Sequence, residues 1–335
     1  MRSWRSDHRI LKSTLVTPKM TCRLEIWQYG LALSQPLVIR PDCTISVREG
    51  LWLVALQGEQ VIGFGEAAPL PGFSGESLES VVHWLRQANW GSGLIPYPPF
   101  PSLQWAFFCL KSRWMLEGAA HTSESKTAAY SNDNGFSVGD RSQPIKVKLK
   151  GDTQDVHRIE TALSQANRVR LDPNRSWSRA LAEKILASVE LNRIDFLEEP
   201  CASLTDSVEV CRQYGVALAL DESTRELSPD SEPVARLFDA SLAPSPPVMV
   251  LKPMLLGDRL QAWMDLGARM SCRMLISSSY ETVQGLSMLS ALAHKMAPNE
   301  AHGLGTGHIF SGNLVWPPRP TPELKLIHRV NEVRL

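Results

Sequence analysis

The stretch IKVKLKGDTQDVHRIETALSQANRVRLDPN (145–174) contains one full strand–helix–strand unit. IKVKL alternates, with Ile145, Val147 and Leu149 on one face and Lys146 and Lys148 on the other. A helical pattern follows over 152–167, then a second short apolar run, 168–172, ending in Asp172. Two strands joined by a helix predict parallel pairing and a right-handed crossover.

Working outward, the unit repeats. DFLEEP ends its apolar run in Glu198, ALALDES in Asp221 and VMVLKP in Lys252. From Lys148 the steps are 24, 26, 23 and 31 residues, each the length of one strand and one helix. Strands are predicted at 145–149, 168–172, 194–198, 216–221, 248–252 and 273–277, with a last short run at 301–306. Helices are predicted at 152–167, 177–192, 204–214, 231–239, 258–267 and 282–296. One more strand near 127–131, inside the polar stretch 121–143, brings the strands to eight. An open doubly wound sheet concentrates polar residues at one switch point. Here nearly every strand ends in a polar or charged residue, which favours a closed α/β barrel with its chemistry at the carboxyl mouth.

Upstream the pattern differs. CRLEIWQYGLAL, ISVREGLWLVAL and VIGFGEAAPL read as a small antiparallel sheet, followed by the loop PGFSGES (71–77) and a helical stretch. GSGLIPYPPFPS (91–102) reads as a linker, and QWAFFCLKSRWMLEG (104–118) as a buried helix. Residues 1–19 are basic without a continuous apolar core; they are expected to be a disordered extension, not a secretory signal. The expected division is 1–19 extension, 20–98 N-terminal capping domain, 99–309 catalytic barrel and 310–335 a C-terminal segment.

Composition narrows the function. Lysine plus arginine equals aspartate plus glutamate at 35 each, so no basic excess favours nucleic acid. No apolar run is long enough to span a bilayer. The six cysteines are scattered without a CxxC pair and read as reduced residues of a cytoplasmic chain.

Asp172, Glu198 and Asp221 are hard oxygen ligands from three consecutive strand ends, and strands about 4.8 Å apart let them meet around one ion. Singly, LDPN also fits turn chemistry and DES a helix cap. Together, in register, the three acids point to Mg²⁺, with Mn²⁺ as a substitute; without thiolates or imidazoles they do not suit zinc. Lys146 and Lys148 lie about 6.6 Å apart along their strand. At an effective dielectric near 20 they repel by about 2.5 kcal/mol, which would favour a neutral Lys148 able to take a proton. Lys252 comes from the far side of the barrel. Two lysines flanking a metal-bound carboxylate suit removal of the proton α to it.

These residues resemble the enolase superfamily, and within it the muconate-lactonizing subgroup, whose signature is a KxK strand, three successive acid ligands and an opposing lysine. REGLWLVAL, GEAAPLPGFSGES, RLDPNRSW, FLEEPC, LDES, LKP and ISSSYET are similar to the o-succinylbenzoate synthase family of that subgroup. The resemblance runs from about 20 to near 310. It implies a (β/α)7β TIM-like barrel under an α+β capping domain made of the N-terminal segment and the last residues. It further implies Mg-dependent syn-dehydration of 2-succinyl-6-hydroxy-2,4-cyclohexadiene-1-carboxylate, in menaquinone or phylloquinone synthesis, by a monomer or homo-oligomer acting on a small carboxylate.

Carried over by position, the resemblance makes Lys148 the base and then the acid, Lys252 the group that stabilises the enediolate, and Lys146 the support of Lys148. Asp172, Glu198 and Asp221 become the metal ligands, with Glu199 an outer partner. Ser277, Ser278, Ser279, Gly303 and Gly305 would line the substrate pocket, with Phe73 and Ser74 in the closing cap loop. Arg170 and Asn174 would stand near the metal-bearing strand end. The 121–143 region and the Pro-rich stretch between Asp221 and Lys252 depart from the family pattern. An N-succinylamino acid racemase, a dipeptide epimerase or a muconate cycloisomerase fits the same residues, and a catalytically silent binding barrel is the non-enzyme alternative. GLGTG (303–307) is not a nucleotide loop, and His302 and His308 are expected to be structural.

Overall fold

The structure, a computed structural model, describes residues 21–91, 93–112, 115, 129–132, 135–136, 143–237 and 247–335. The expected extension over 1–19, most of the 121–143 stretch and part of the Pro-rich insertion lie outside the described residues.

Two sheets organise the chain. In the first, β1 (Thr21–Arg40), β2 (Cys43–Gln57), β3 (Gln60–Ala67) and β12 (Leu324–Arg334) pair antiparallel in the order β12-β1-β2-β3. The end of the chain therefore returns to the sheet that begins it. The helices Leu78–Gln87 and Pro101–Lys111 pack against this sheet through Val81, Leu85, Leu103, Ala106 and Leu110. Gly65 permits that approach: a Cβ there would lie 2.0 Å from the Ala106 carbonyl oxygen. The Pro101–Lys111 helix is capped at Ser112, whose N–H turns to the Cys109 carbonyl; of the rest of the 104–118 reading only Met115, itself helical, is among the described residues.

The second sheet holds β4 (Ala129–Asn132), β5 (Gly135–Phe136), β6 (Ile145–Lys148), β7 (Val169–Asp172), β8 (Ile194–Glu198), β9 (Leu218–Leu220), β10 (Val248–Leu251) and β11 (Met274–Ile276). Its order is β11-β10-β9-β8-β7-β6-β4-β5, parallel except for the β4–β5 hairpin. Of the predicted run 301–306, a single parallel bridge, Ser277 to Gly303, continues the curl beyond β11. Sheet and helices alternate as a capping domain plus a curled barrel sheet. Short helices at Glu222–Glu226 and Pro253–Leu256, directly after Asp221 and Lys252, were not legible in the apolar periodicity; each is too short to show a helical face.

Strand alternation sorts the core. Leu171, Leu197 and Leu220 face outward into one apolar cluster beneath the helices, and Met249, Leu251, Met274 and Ile276 into another. The opposite face supplies Phe196, Ala219, Val248, Val250 and Leu275, a separate cluster inside the curl. Side chains filling the interior in layers are what a small barrel requires. The cap and barrel are not independent: Trp27, Trp52 and Phe64 share one cluster with Met254, Trp263 and Met288.

Candidate active site

The inward layer fixes the direction of the charged residues. Asp172, Glu198, Asp221, Lys252 and Ser277 each lie two positions beyond an inward residue, namely Arg170, Phe196, Ala219, Val250 and Leu275. With a side-chain period of two, all five point into the mouth one layer above the apolar plug. Asp172 and Glu198 close their strands, and Asp221, Lys252 and Ser277 follow theirs at once. Lys148 pairs in register with Asp172 and is exposed at the same mouth.

The three acids are buried and meet two lysines. Lys146 Nζ lies 2.8 Å from Asp172 Oδ2 and 2.8 Å from Glu198 Oε2. Lys252 donates to Asp221. Burial pushes Asp172 upward, but Lys146 and Lys148 outweigh it and hold the carboxyl below its ordinary range. Asp221 is likewise lowered: burial raises it, and Lys252 and Lys146 more than reverse that. Glu198 goes the other way, held well above the usual carboxylate range by burial and then by the charge of Asp172. Burial lowers Lys252, and Asp221 more than restores it, leaving the amine above its ordinary value.

Among the described residues no three His, Cys, Asp or Glu side chains stand as a ready-made cation cage, and the ammonium groups of Lys146 and Lys252 reach into the acids. The donor set nevertheless fits a hard divalent ion. It is all oxygen, it is buried, and burial together with the Asp172 charge raises Glu198 even with Lys146 beside it, so a divalent cation would favour its charged form. Lys146, expected to act on Lys148 as a bare like charge, has its own charge met by two carboxylates.

A supporting shell holds these groups. Asn174, in the left-handed region at φ 49°, donates its backbone N–H to Asp172 Oδ1 at 3.1 Å. Glu199 accepts the backbone N–H groups of Asp221 and Ser223, both at 2.8 Å, and pairs with Arg175. Asp155, fully buried, accepts the N–H groups of Lys150 and Gly151 and the Trp177 indole, tying the loop after Lys148 to the one after Asp172. Sequence reasoning missed Asp155; an acid near the start of a helix gives no sign that its partners lie behind it. It also missed Glu222, pushed up to about 7 by burial and by Asp221.

The pocket at this mouth is lined by Phe73, Asp221, Glu222, Thr224, Arg225, Lys252, Leu255 and Leu256. It brings the cap loop to the acid and lysine of two strands. Ser74 spends its hydroxyl on its own loop, accepting the Leu70 N–H at 2.8 Å. Ser277 bridges Gly303, where a Cβ would lie 2.8 Å from the Ser277 hydroxyl, so that only glycine permits this approach. Ser278 bonds Thr306 at 2.7 Å, and the Gly305 carbonyl meets His308 Nδ1 at 2.8 Å. The buried Ser279 hydroxyl has no hydrogen-bond partner among the described residues.

Arg170 lies two positions before Asp172 on the same strand. Its guanidinium does not turn to the mouth; it stacks over Phe196, donates to Asp195 at 2.8 Å and to the Ala301 carbonyl, one layer below the acids. His302 is structural: Nδ1 accepts the Ile276 N–H and Nε2 meets the Ala297 carbonyl.

A buried polar seam joins cap to barrel behind the pocket. Arg48 donates to the carbonyls of Pro69 at 2.8 Å, Tyr280 at 3.1 Å and Ser279 at 3.2 Å, and also to those of Ala68 and Glu49. Glu66 accepts Tyr29 Oη at 2.5 Å and Thr282 Oγ1 at 2.6 Å. Glu281 accepts the Ser279 N–H at 2.6 Å and is pushed up to about 7, by burial first and then by Glu66.

Comparison with known proteins agrees with this architecture. Residues 21–114 match the family model described as MenC, N-terminal domain, and 134–235 match Enolase C-terminal domain-like. The o-succinylbenzoate synthase of Yersinia pseudotuberculosis serotype O:3 (strain YPIII) is 31% identical over 319 residues, covering 89% of this chain and 94% of that protein. Among solved structures, the o-succinylbenzoate synthase of Thermosynechococcus elongatus BP-1, complexed with Mg in the active site, superposes with a TM-score of 0.60. The identity is 22%, and the match covers 87% of this chain and 95% of the other. A dipeptide epimerase of Enterococcus faecalis V583, complexed with Mg and the dipeptide L-Leu-L-Tyr, gives a TM-score of 0.67. There the identity is 16%, over 93% and 98% of the two chains. At such identities the structural likeness speaks for the fold.

Proposed function

The chain belongs to the enolase superfamily, in the family of its o-succinylbenzoate synthase relatives, and from that membership we propose that it dehydrates 2-succinyl-6-hydroxy-2,4-cyclohexadiene-1-carboxylate to o-succinylbenzoate. The observation that carries the reading is the convergence of Lys148, Lys252 and the three acids at one mouth beneath the cap loop. Menaquinone or phylloquinone synthesis and a cytoplasmic setting belong to the same proposal; among the described residues no helix is long and apolar enough to cross a membrane.

Asp172, Glu198 and Asp221 would hold Mg²⁺, which when bound supplies Lewis-acid charge to the substrate carboxylate. Lys148, exposed at the end of β6, takes the proton from the ring carbon that bears that carboxylate. The electrons of the broken C–H bond form the new ring double bond as the C–O bond to the hydroxyl breaks. Lys148 returns the proton to the departing hydroxide, so the products are the aromatic acid and one water. Lys252, directly after β10, keeps an ammonium facing the negative charge that builds on the substrate. Lys146 holds Asp172 and Glu198 in place, and Phe73 shields the pocket from water.

The test is purified protein with the dehydration substrate and MgCl₂, followed by ultraviolet absorbance as the ring becomes aromatic. Turnover abolished by EDTA and restored by Mg²⁺ is expected. A second reading, racemisation or epimerisation of N-succinyl amino acids or dipeptides, is favoured by the presence of both lysines at the mouth. Hydrogen exchange at the α-carbon of such substrates, with no aromatic product from the first, would replace the dehydratase reading.

A further inference from the structure

Among the described residues that line the pocket, Phe73 alone comes from the cap, and two guanidinium groups lie over its ring. Arg40 Cζ, from the end of β1, is 4.8 Å from the ring centroid, and Arg225 Cζ is 4.9 Å from it. Arg225 Nη1 also donates to the Phe73 carbonyl at 2.8 Å. Arg225 thus holds the loop by ring and backbone together, which the planar fork of arginine allows and a lysine ammonium does less well.

The other end of this contact is equally fixed. Arg225 stands on the Glu222–Glu226 turn that directly follows Asp221. Arg259 staples that turn, donating to the Arg225 carbonyl at 2.7 Å, the Thr224 carbonyl at 3.3 Å and the Leu227 carbonyl. Glu199 fixes its start through the N–H groups of Asp221 and Ser223. The segment carrying one candidate metal ligand is therefore rigid, and Arg225 extends from it to the cap.

We infer that Arg225 is a positioning residue that latches the 71–77 loop, through Phe73, onto the Asp221-bearing segment and so sets how tightly the pocket closes on its carboxylate substrate. The inference rests on reading this pocket as the active site; it does not depend on which carboxylate is bound.

The Phe73–Ser74 bond is itself a chymotrypsin site, so loop opening can be read without substrate. When reclosing is faster than cleavage, the cleavage rate follows the open population. Arg225→Gln, holding its melting temperature and its Mg²⁺ affinity, is expected to be cut at this bond about tenfold faster than wild type, the loss of one cation–π contact and one hydrogen bond. Arg225→Lys should fall between the two. In turnover Arg225→Gln should raise KM more than it lowers kcat. Cleavage of a folded Arg225→Gln at the wild-type rate overturns the latch. Should that variant not fold, Arg225→Lys decides it: cleavage and KM both at wild-type values overturn the inference. Because cleavage needs no substrate, an inactive wild type would sink the proposed function and leave this test standing.

Discussion

Glu199 accepts the backbone N–H of Asp221 at 2.8 Å, so the second acid of FLEEP fixes the backbone from which the third proposed ligand projects. Its neighbour Glu198 instead faces Lys146 and the other acids. The two glutamates thus differ in kind of effect. Glu198→Gln is expected to remove measurable Mg²⁺ binding by calorimetry and to abolish turnover. Glu199→Ala should weaken Mg²⁺ binding by about 10–100-fold, as outer-shell changes do. It should also destabilise the fold by about 1–3 kcal/mol, because two buried N–H groups lose their acceptor. Equal effects of the two substitutions on Mg²⁺ affinity would contradict the assignment.

Lys148 and Lys252 should separate chemistry from metal binding. Lys148→Ala is expected to reduce turnover by about 10²–10⁴-fold while leaving Mg²⁺ affinity close to wild type, because Lys148 is exposed at the mouth. Lys252→Ala removes the ammonium that Asp221 now accepts from, so it should lose turnover and bind Mg²⁺ at least as tightly as wild type. Stopped assays combined with metal titration of the same samples read both. Weaker Mg²⁺ binding in Lys252→Ala would mean that the lysine organises the acids and does not compete for them.

The periodicity of apolar runs carried the barrel strands because each buries one face under helices and the other in the interior, so each ends abruptly at the mouth. Leu171–Asp172, Leu197–Glu198 and Leu220–Asp221 are the same event in three strands. What periodicity could not carry was depth. Arg170 and Asp172 share a face, yet one sits below the acids against Asp195 and the other beside Lys146. Partners far apart in the chain were also invisible. The grip of Arg48 on carbonyls 69 and 280, or of Arg225 on Phe73, appears only once cap and barrel are in contact.

Arg48 should behave as a structural clamp between the two parts. Its guanidinium is almost completely buried and, among the described residues, donates only to carbonyls, from the 68–69 loop and the 279–280 turn among others. Arg48→Met leaves several buried acceptors without donors and is expected to cost about 2–4 kcal/mol in urea unfolding. Arg48→Lys should recover little of it, since one ammonium cannot span the fork. Full rescue by lysine would show that charge alone matters at this position.

The same seam predicts a pH dependence of opposite sign to ordinary acid denaturation. Glu281 is raised to about 7 from an ordinary value near 4.5, so the folded state favours its neutral form. Its contribution is fully present below the unfolded value, declines as pH rises above it, and is lost as pH passes through about 7. Burial is the main cause, and the groups facing it adjust the effect: Glu66 disfavours its ionisation, Arg48 favours it, and Tyr29 and Cys109 lie in the same field. The urea midpoint is therefore expected to fall between pH 5.5 and pH 8.5 by more than the surface charges alone produce. Glu281→Gln, which keeps an acceptor for the Ser279 N–H and cannot ionise, should flatten that fall by an amount on the order of one to a few kcal/mol. A wild-type midpoint that rises over this interval, or a Glu281→Gln curve parallel to wild type, would show that the carboxyl is already ionised throughout and that the seam is held by Arg48 without it.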